Sequence, residues 1–585
     1  MATLKDNTKN KSGRSSARRG SAVEAVKTRP VIYQMLPRLY TNYCESPRPG
    51  APITVNGSGK LNDINGNVLA MIRELGVTHV WYTGVIEHSH DADYTRYGIP
   101  RDNPYVIKGR AGSPYAITDY YDIDPDLSVN VTERLKEFDS LVERTHDAGL
   151  KVIIDFVPNH VARQYRSDVR PLGEPADFGA DDDTGMFFSP ANDFYYITRQ
   201  QFAPQVNLGR GEEAYIEFPA KASGNDCYTA FPGVNDWYDT VKLNYGVDPW
   251  NGSKHFDPIP PVWHKMLHIL RYWASRGVDG FRCDMVHMVP VEFWHWAIPQ
   301  VKAVNPEIIF IAEIYDVALY RPYLDYGCFD YLYDKVNLYD TLRGVVTANV
   351  SAATLTSCWQ TVEGVSGRML HFLENHDEQR YASPQFAGRA DTVLPALVVS
   401  CTMNTGAMMV YMGQEVGEPA LDAEGFSGRD GRTTIFDYWS VEKIRRMLNK
   451  GVCDGQLTSQ ETQLRDMYRR VLALCNNEEA IREGSFFDLM YVNYENQHFN
   501  PHRQYAYMRA SEREVVLVVV NFDSEKADVG INIPAHAFEC LKMSPGQRFA
   551  SELLTGERRR LTLAPDVQLE LSVQPHGAVL YRFKK

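Results

Sequence analysis

Three things are missing from this chain of 585 residues. No apolar run is long enough to cross a bilayer as a helix, so no membrane partner is expected. The nine cysteines are an odd number scattered singly without a C-x-x-C pair, which points to reduced core or surface thiols in a cytoplasmic protein. There is no excess of positive charge: 61 Lys and Arg stand against 74 Asp and Glu, a net −13, so no nucleic acid is expected as a partner. Basic residues do concentrate in residues 1–29, where Lys5, Lys9, Lys11, Arg14, Arg18 and Arg19 lie among Ser, Asn and Gly with no apolar stretch of the secretory type. That composition predicts a disordered tail.

What the chain does contain is a set of apolar, strand-like runs that end in acids. Asp284 closes GVDGFRCD, Glu313 closes IIFIAE, Asp377 closes MLHFLENHD, and KVIIDFVPNH carries Asp155, Asn159 and His160. An ionised carboxylate costs several kcal/mol to bury unpaired, so acids that recur at the ends of sheet-forming segments point to an active site. Helix-period segments precede these runs. Asn130 caps a stretch to Gly149, with Glu133 three residues on and Leu135, Phe138, Leu141 and Val142 on one face; Val262, Met266, Ile269, Leu270 and Trp273 repeat the spacing before Gly277. Further strands are predicted at 31–35, 78–82, 329–333 and 408–415, making eight. Helix and buried strand in alternation predict an α/β fold, a (β/α)8 TIM barrel over 30–160 and 262–485, whose chemistry sits at the C-terminal strand ends. The stretch 161–261 is too long for a loop and predicts an inserted domain after strand 3. Short alternating runs at 514–522, 530–534, 567–573 and 578–583 predict a C-terminal antiparallel β-sandwich over 486–585.

Taken together, DFVPNH at 155–160, GFRCD at 280–284, FIAEI at 311–315 and ENHD at 374–377 resemble, in order, the motifs of the α-amylase family of glycoside hydrolases. SPYAITDYYDID from Ser113 and YMGQE at 411–415 add to the resemblance, which runs from about Val31 to the C-terminus. It implies a retaining glycosidase acting on α-1,4 bonds of starch- or glycogen-derived chains or maltooligosaccharides. Such chemistry needs a nucleophilic carboxylate and a protonated carboxyl about 5 to 5.5 Å apart, around an oxocarbenium-like transition state. Asp284 shares a strand face with Arg282, which can hold it ionised as the nucleophile. Glu313 follows a mostly apolar run that favours its neutral form, as an acid requires. By resemblance Glu313 is the acid/base and Asp377 the third acid that holds sugar hydroxyls. The resemblance also implies that His160 and His376 bond the sugar, that Tyr115 is a platform beneath it, and that His287 faces the leaving group.

Two departures matter. His287 and Met288 stand where many α-amylases carry a Lys-His pair, which leaves leaving-group preference open. TVKLNYG at 240–246 resembles the family's LPDLN signature, but Lys242 replaces its aspartate, a calcium ligand in many members. An ammonium cannot bind a cation, so no cofactor is required and Asn159 is a weak candidate metal ligand; the alternative is calcium held by other acids of the insert, such as those in DFGADDD at 177–183. Two other readings share these residues: a glucan-transferring, cyclodextrin- or pullulan-type enzyme, and an inactive module that only binds sugar.

Overall fold

The computed structural model describes residues 28–171, 175–206, 214–425, 428–565 and 567–585. Eight parallel strands close on themselves: β1 (Val31–Met35), β2 (His79–Tyr82), β3 (Lys151–Phe156), β4 (Gly280–Cys283), β5 (Ile309–Ala312), β6 (Tyr331–Tyr333), β7 (Met369–His371) and β8 (Ala407–Tyr411). Each pairs with its neighbours in sequence, and β1 pairs with both β2 and β8. All eight coincide with runs expected to be strands. Their apolar residues fill a continuous core because a parallel strand is covered on both faces.

The register carries functional weight. Arg282 on β4 lies level with Asp155 on β3 and Ile311 on β5, which brings the arginine beside the acid of the neighbouring strand. Helix α1 (Arg134–Asp147) precedes β3 and α2 (Pro261–Ser275) precedes β4. The start of α1 differs in detail from expectation. Asn130 accepts from Thr132 N–H over a short 3-10 turn, and the carboxylate that receives the N–H groups of Val129 and Asn130 is Glu137, not Glu133.

The tail expected over 1–29 falls outside the described residues as far as residue 27, and its last residue is corrected by the structure. Arg29 is buried, its N–H donating to Asn476 Oδ1 (2.8 Å) and its guanidinium to the carbonyls of Cys401 (2.7 Å) and Gly406. A charge with that many buried carbonyl partners belongs to the barrel's base.

Between β3 and α2 the chain forms paired short strands, His160–Ala162 with Thr240–Lys242 and Tyr196–Ile197 with Ala220–Lys221, with a small cluster of apolar and aromatic residues that Val106, from before β3, also joins. After the barrel, Ser485–Asp488, Gln504–Ala510, Glu514–Asn521, Gly546–Glu552, Arg558–Leu563 and Gly577–Lys584 make a six-stranded sheet, and Ala527–Ile531 pairs with Leu569–Val573 in a second. Both sheets are antiparallel.

Candidate active site

The acids gather at one end of the barrel because all three lie beyond the C-terminal ends of their strands: Asp284 directly after Cys283, Glu313 directly after Ala312, and Asp377 in the loop beyond His371. Arg282 is their common partner. Its Nη1 donates to Asp284 Oδ1 (2.7 Å), its Nη2 lies 2.6 Å from Glu313 Oε1, and Asp155 is 3.6 Å away. The guanidinium is fully buried and boxed by the rings of Trp81, Tyr115 and Tyr333 at 5.3–5.6 Å. Such enclosure strengthens every charge interaction inside it.

Glu313 accepts two further bonds, from Tyr315 O–H (2.6 Å) and from Met285 N–H (2.8 Å). Met285 adopts a left-handed backbone, φ 43° and ψ 48°, directly after Asp284, and that turn aims its N–H at the acid of the next strand. Burial pushes the Glu313 carboxyl above its ordinary range; Arg282 opposes this and the charge on Asp284 adds to it. Asp377, 34% exposed at its side chain, is also raised, by enclosure in the cleft and then by Glu313, against Arg282.

His376 is held from both sides. Gln34 Nε2 donates to its Nδ1 (2.7 Å), which places the ring proton on Nε2, facing Tyr115 Oη (2.5 Å) and Asp377 Oδ2 (3.1 Å). The ring is stacked on Tyr115, and burial followed by the charge of Arg282 keeps it neutral. His160 is likewise neutral, its pKa pulled down to about 3 by burial, and its ring lies 5.1 Å from Trp237. Asp155 receives Trp81 Nε1–H (3.1 Å) and Gly84 N–H (3.2 Å), and burial raises it to about 7 despite Arg282.

Asp284, Glu313, Asp377, Tyr115 and His160 line one cavity of about 660 Å³, within the range of small-ligand sites. Arg282 and His376 lie behind that wall as supports. His287 sits past Tyr315, ring centres 6.4 Å apart, and is not among the residues lining the cavity. Asn159 does not face the cavity at all: its Oδ1 accepts from Lys242 Nζ, which also reaches Met288 O (3.1 Å) and Asp226 Oδ1 (2.8 Å). Sequence reasoning missed Tyr315, although it stands two residues after Glu313 on the same face of an extended segment. It also missed Gln34 and Trp81, buried polar groups inside otherwise apolar strands. Lys108, Trp237, Asp239 and Phe436 complete the cavity wall from three separate loops, and no motif marked them.

A family model for the α-amylase catalytic domain matches residues 53–473. The chain belongs to the α-amylase family. Relatives include a cyclomaltodextrinase of Geobacillus thermopakistaniensis, 24% identical over 515 residues, covering 85% of this chain and 69% of the relative. Neopullulanase 2 of Thermoactinomyces vulgaris is 21% identical over 574 residues, covering 94% and 77%. For the α-amylase MalA of Haloarcula japonica, at 26% identity, the coverage falls to 79% of this chain and 52% of the relative. Among solved structures, a noncanonic maltogenic α-amylase from Thermotoga neapolitana superposes with a TM-score of 0.60 at 18% identity, over 95% of this chain and 99% of that one. This α-amylase family member is therefore a glycoside hydrolase on a (β/α)8 barrel, with an antiparallel C-terminal domain.

Proposed function

We propose that the chain is a retaining hydrolase of α-1,4-glucosidic bonds in starch- or glycogen-derived chains and maltooligosaccharides. The observation that carries the reading is the forked contact of Arg282, one nitrogen on Asp284 and the other on Glu313. Asp284 attacks the anomeric carbon and forms a glycosyl ester. Glu313, its neutral form favoured by burial, gives its proton to the departing oxygen and then takes one from the water that resolves the ester. Asp377, with His376 beside it, accepts hydroxyls of the sugar at the cleavage site, and Tyr115 supports the ring from below. As a first-formed product, the new reducing end should carry the α configuration, read by rapid proton NMR on fresh hydrolysate; a β anomer at early times would exclude the mechanism.

A second reading, ring- or branch-tolerant hydrolysis or transfer of the glucosyl unit to another sugar, is supported by the names of the relatives, cyclomaltodextrinase and neopullulanase. Product length on maltoheptaose separates the two outcomes, since transfer yields chains longer than the substrate.

The calcium that many family members hold between barrel and inserted domain does not fit the residues here. Lys242 Nζ, buried, bonded to Asn159 and Met288 O and paired with Asp226, supports a metal-free joint at this position; burial lowers its pKa and Asp226 opposes that shift.

A further inference from the structure

Strand β1 reads VIYQM, and its Gln34 is fully buried. The amide nitrogen has two hydrogens and two acceptors: Thr83 Oγ1 (3.1 Å), directly after β2, and His376 Nδ1 (2.7 Å), in the loop beyond β7. The amide oxygen, equally buried, accepts no hydrogen bond. An unpaired buried acceptor is destabilising, so packing alone would favour an apolar side chain at this place in the barrel. The amide is kept for what its nitrogen does.

The ring that Gln34 holds has little freedom left. Tyr115 stacks on it with ring centres 5.4 Å apart, and Trp81 meets it edge-on at 5.7 Å. Burial, and then the charge of Arg282, keep the imidazole neutral, so it carries a single proton. The site of that proton decides what Nε2 can do. While Nδ1 accepts from Gln34, Nε2 is an N–H donor, 2.5 Å from Tyr115 Oη and 3.1 Å from Asp377 Oδ2. With the proton moved to Nδ1, Nε2 would turn a lone pair on the Asp377 carboxylate. Attraction would become repulsion, and Asp377 would lose its anchor in the ring.

We propose that Gln34 is a positioning residue of the cleavage site: it keeps the His376 proton on Nε2, and Nε2–H in turn holds one oxygen of Asp377, leaving the other to receive the sugar. The unpaired amide oxygen is what that orientation leaves behind. This inference rests on the α-1,4 reading, which puts the sugar hydroxyls against Asp377.

The test uses the full-length enzyme on maltoheptaose, with Gln34→Met made in the wild type and in His376→Phe. In the wild type Gln34→Met should lower kcat about 10-fold or more and change KM less than about 3-fold, because hydrogen bonds to the sugar strengthen in the transition state. In His376→Phe the same change should cost less than about 2-fold, since a residue acting through another adds nothing once that other is gone. Gln34→Glu supplies a pH readout. The titratable and charged groups around the ring are Asp377, Arg282, Tyr115 and, 3.4 Å from Tyr115 Oη, Asp155; both variants keep them all, so the two profiles differ only through position 34. An ionised carboxylate at that position only accepts and draws the proton to Nδ1; once protonated, its O–H donates to Nδ1 and restores Nε2–H. The kcat of Gln34→Glu should therefore climb towards wild type as pH falls, while that of Gln34→Met should not. Should Gln34→Met melt early, this profile decides alone. An equal loss from Gln34→Met with and without His376, no loss at all, or a Gln34→Glu profile that runs parallel to the wild type overturns the inference and leaves the α-1,4 reading standing. A wild type that leaves maltoheptaose uncut overturns both.

Discussion

At the scale of single residues, Asp284 and Glu313 share one guanidinium but fail differently. Asp284→Asn should abolish turnover on every substrate, since no ester can form. Glu313→Gln should lower kcat/KM on maltooligosaccharides on the order of 10³-fold or more, yet spare glucosyl fluoride, whose departure needs little protonation. Steady-state kinetics on both substrate types checks the pair, and near wild-type activity of Asp284→Asn would move the nucleophile elsewhere. Tyr315 tests the tuning of the acid. Its O–H stabilises the ionised form of Glu313, so Tyr315→Phe should raise the Glu313 pKa further and move the alkaline limb of the pH profile of kcat/KM upward. A limb that stays put or moves down would remove Tyr315 from that role. The three acids were legible in the sequence because each terminates an apolar run, a pattern with a physical cost that demands a reason. Lys108, Asp239 and Phe436 were not legible, because their proximity is made by three loops whose lengths and closures no local pattern encodes.

At the scale of elements, the joint between barrel and inserted domain includes two buried lysines, Lys265 on α2, which donates to Asp193 Oδ2 (2.5 Å), and Lys242 in the strand Thr240–Lys242. Lys242→Met should cost about 1–3 kcal/mol, since it strands Asn159 Oδ1 without its donor in the interior. Denaturant melts of the two proteins measure the loss. Dialysis of the wild type against a strong chelator should leave both melting temperature and activity unchanged. Tightly held calcium whose removal abolishes activity would reverse that reading. Lys242 was visible in the sequence as a departure from the family signature, whereas its third partner, Asp226, was not, because it comes from a turn 16 positions away with no motif of its own. In the same way Glu137 displaced the expected Glu133 at the start of α1: a turn of 3-10 helix rotates the first residues, and the next acid along comes within reach of the free N–H groups.

At the scale of the whole molecule, the barrel and the C-terminal sheets are fastened by arginines that bridge main-chain carbonyls. Arg509, on Gln504–Ala510, donates to Met403 O (2.8 Å) beyond a barrel helix and to Gly484 O (2.5 Å) at the junction, and burial with the nearby Arg29 lowers its pKa to about 9. Arg509→Met removes those donors and should split a single calorimetric unfolding transition into two, the earlier belonging to the weakened interface; a single transition at the wild-type temperature would show that the arginine fastens nothing. The strands at 485–488, 504–510, 546–552 and 558–563 escaped the sequence reading. QYAYMRA is apolar on both faces and RRRLTL carries three arginines at its start, so neither shows the clean alternation of a half-exposed strand.

The left-handed turn at Met285 also limits which residues can follow the nucleophile. A β-branched side chain would be strained there, and straightening the turn would swing the main-chain N–H away from Glu313, so substitution at this position should alter the acid without touching either carboxylate.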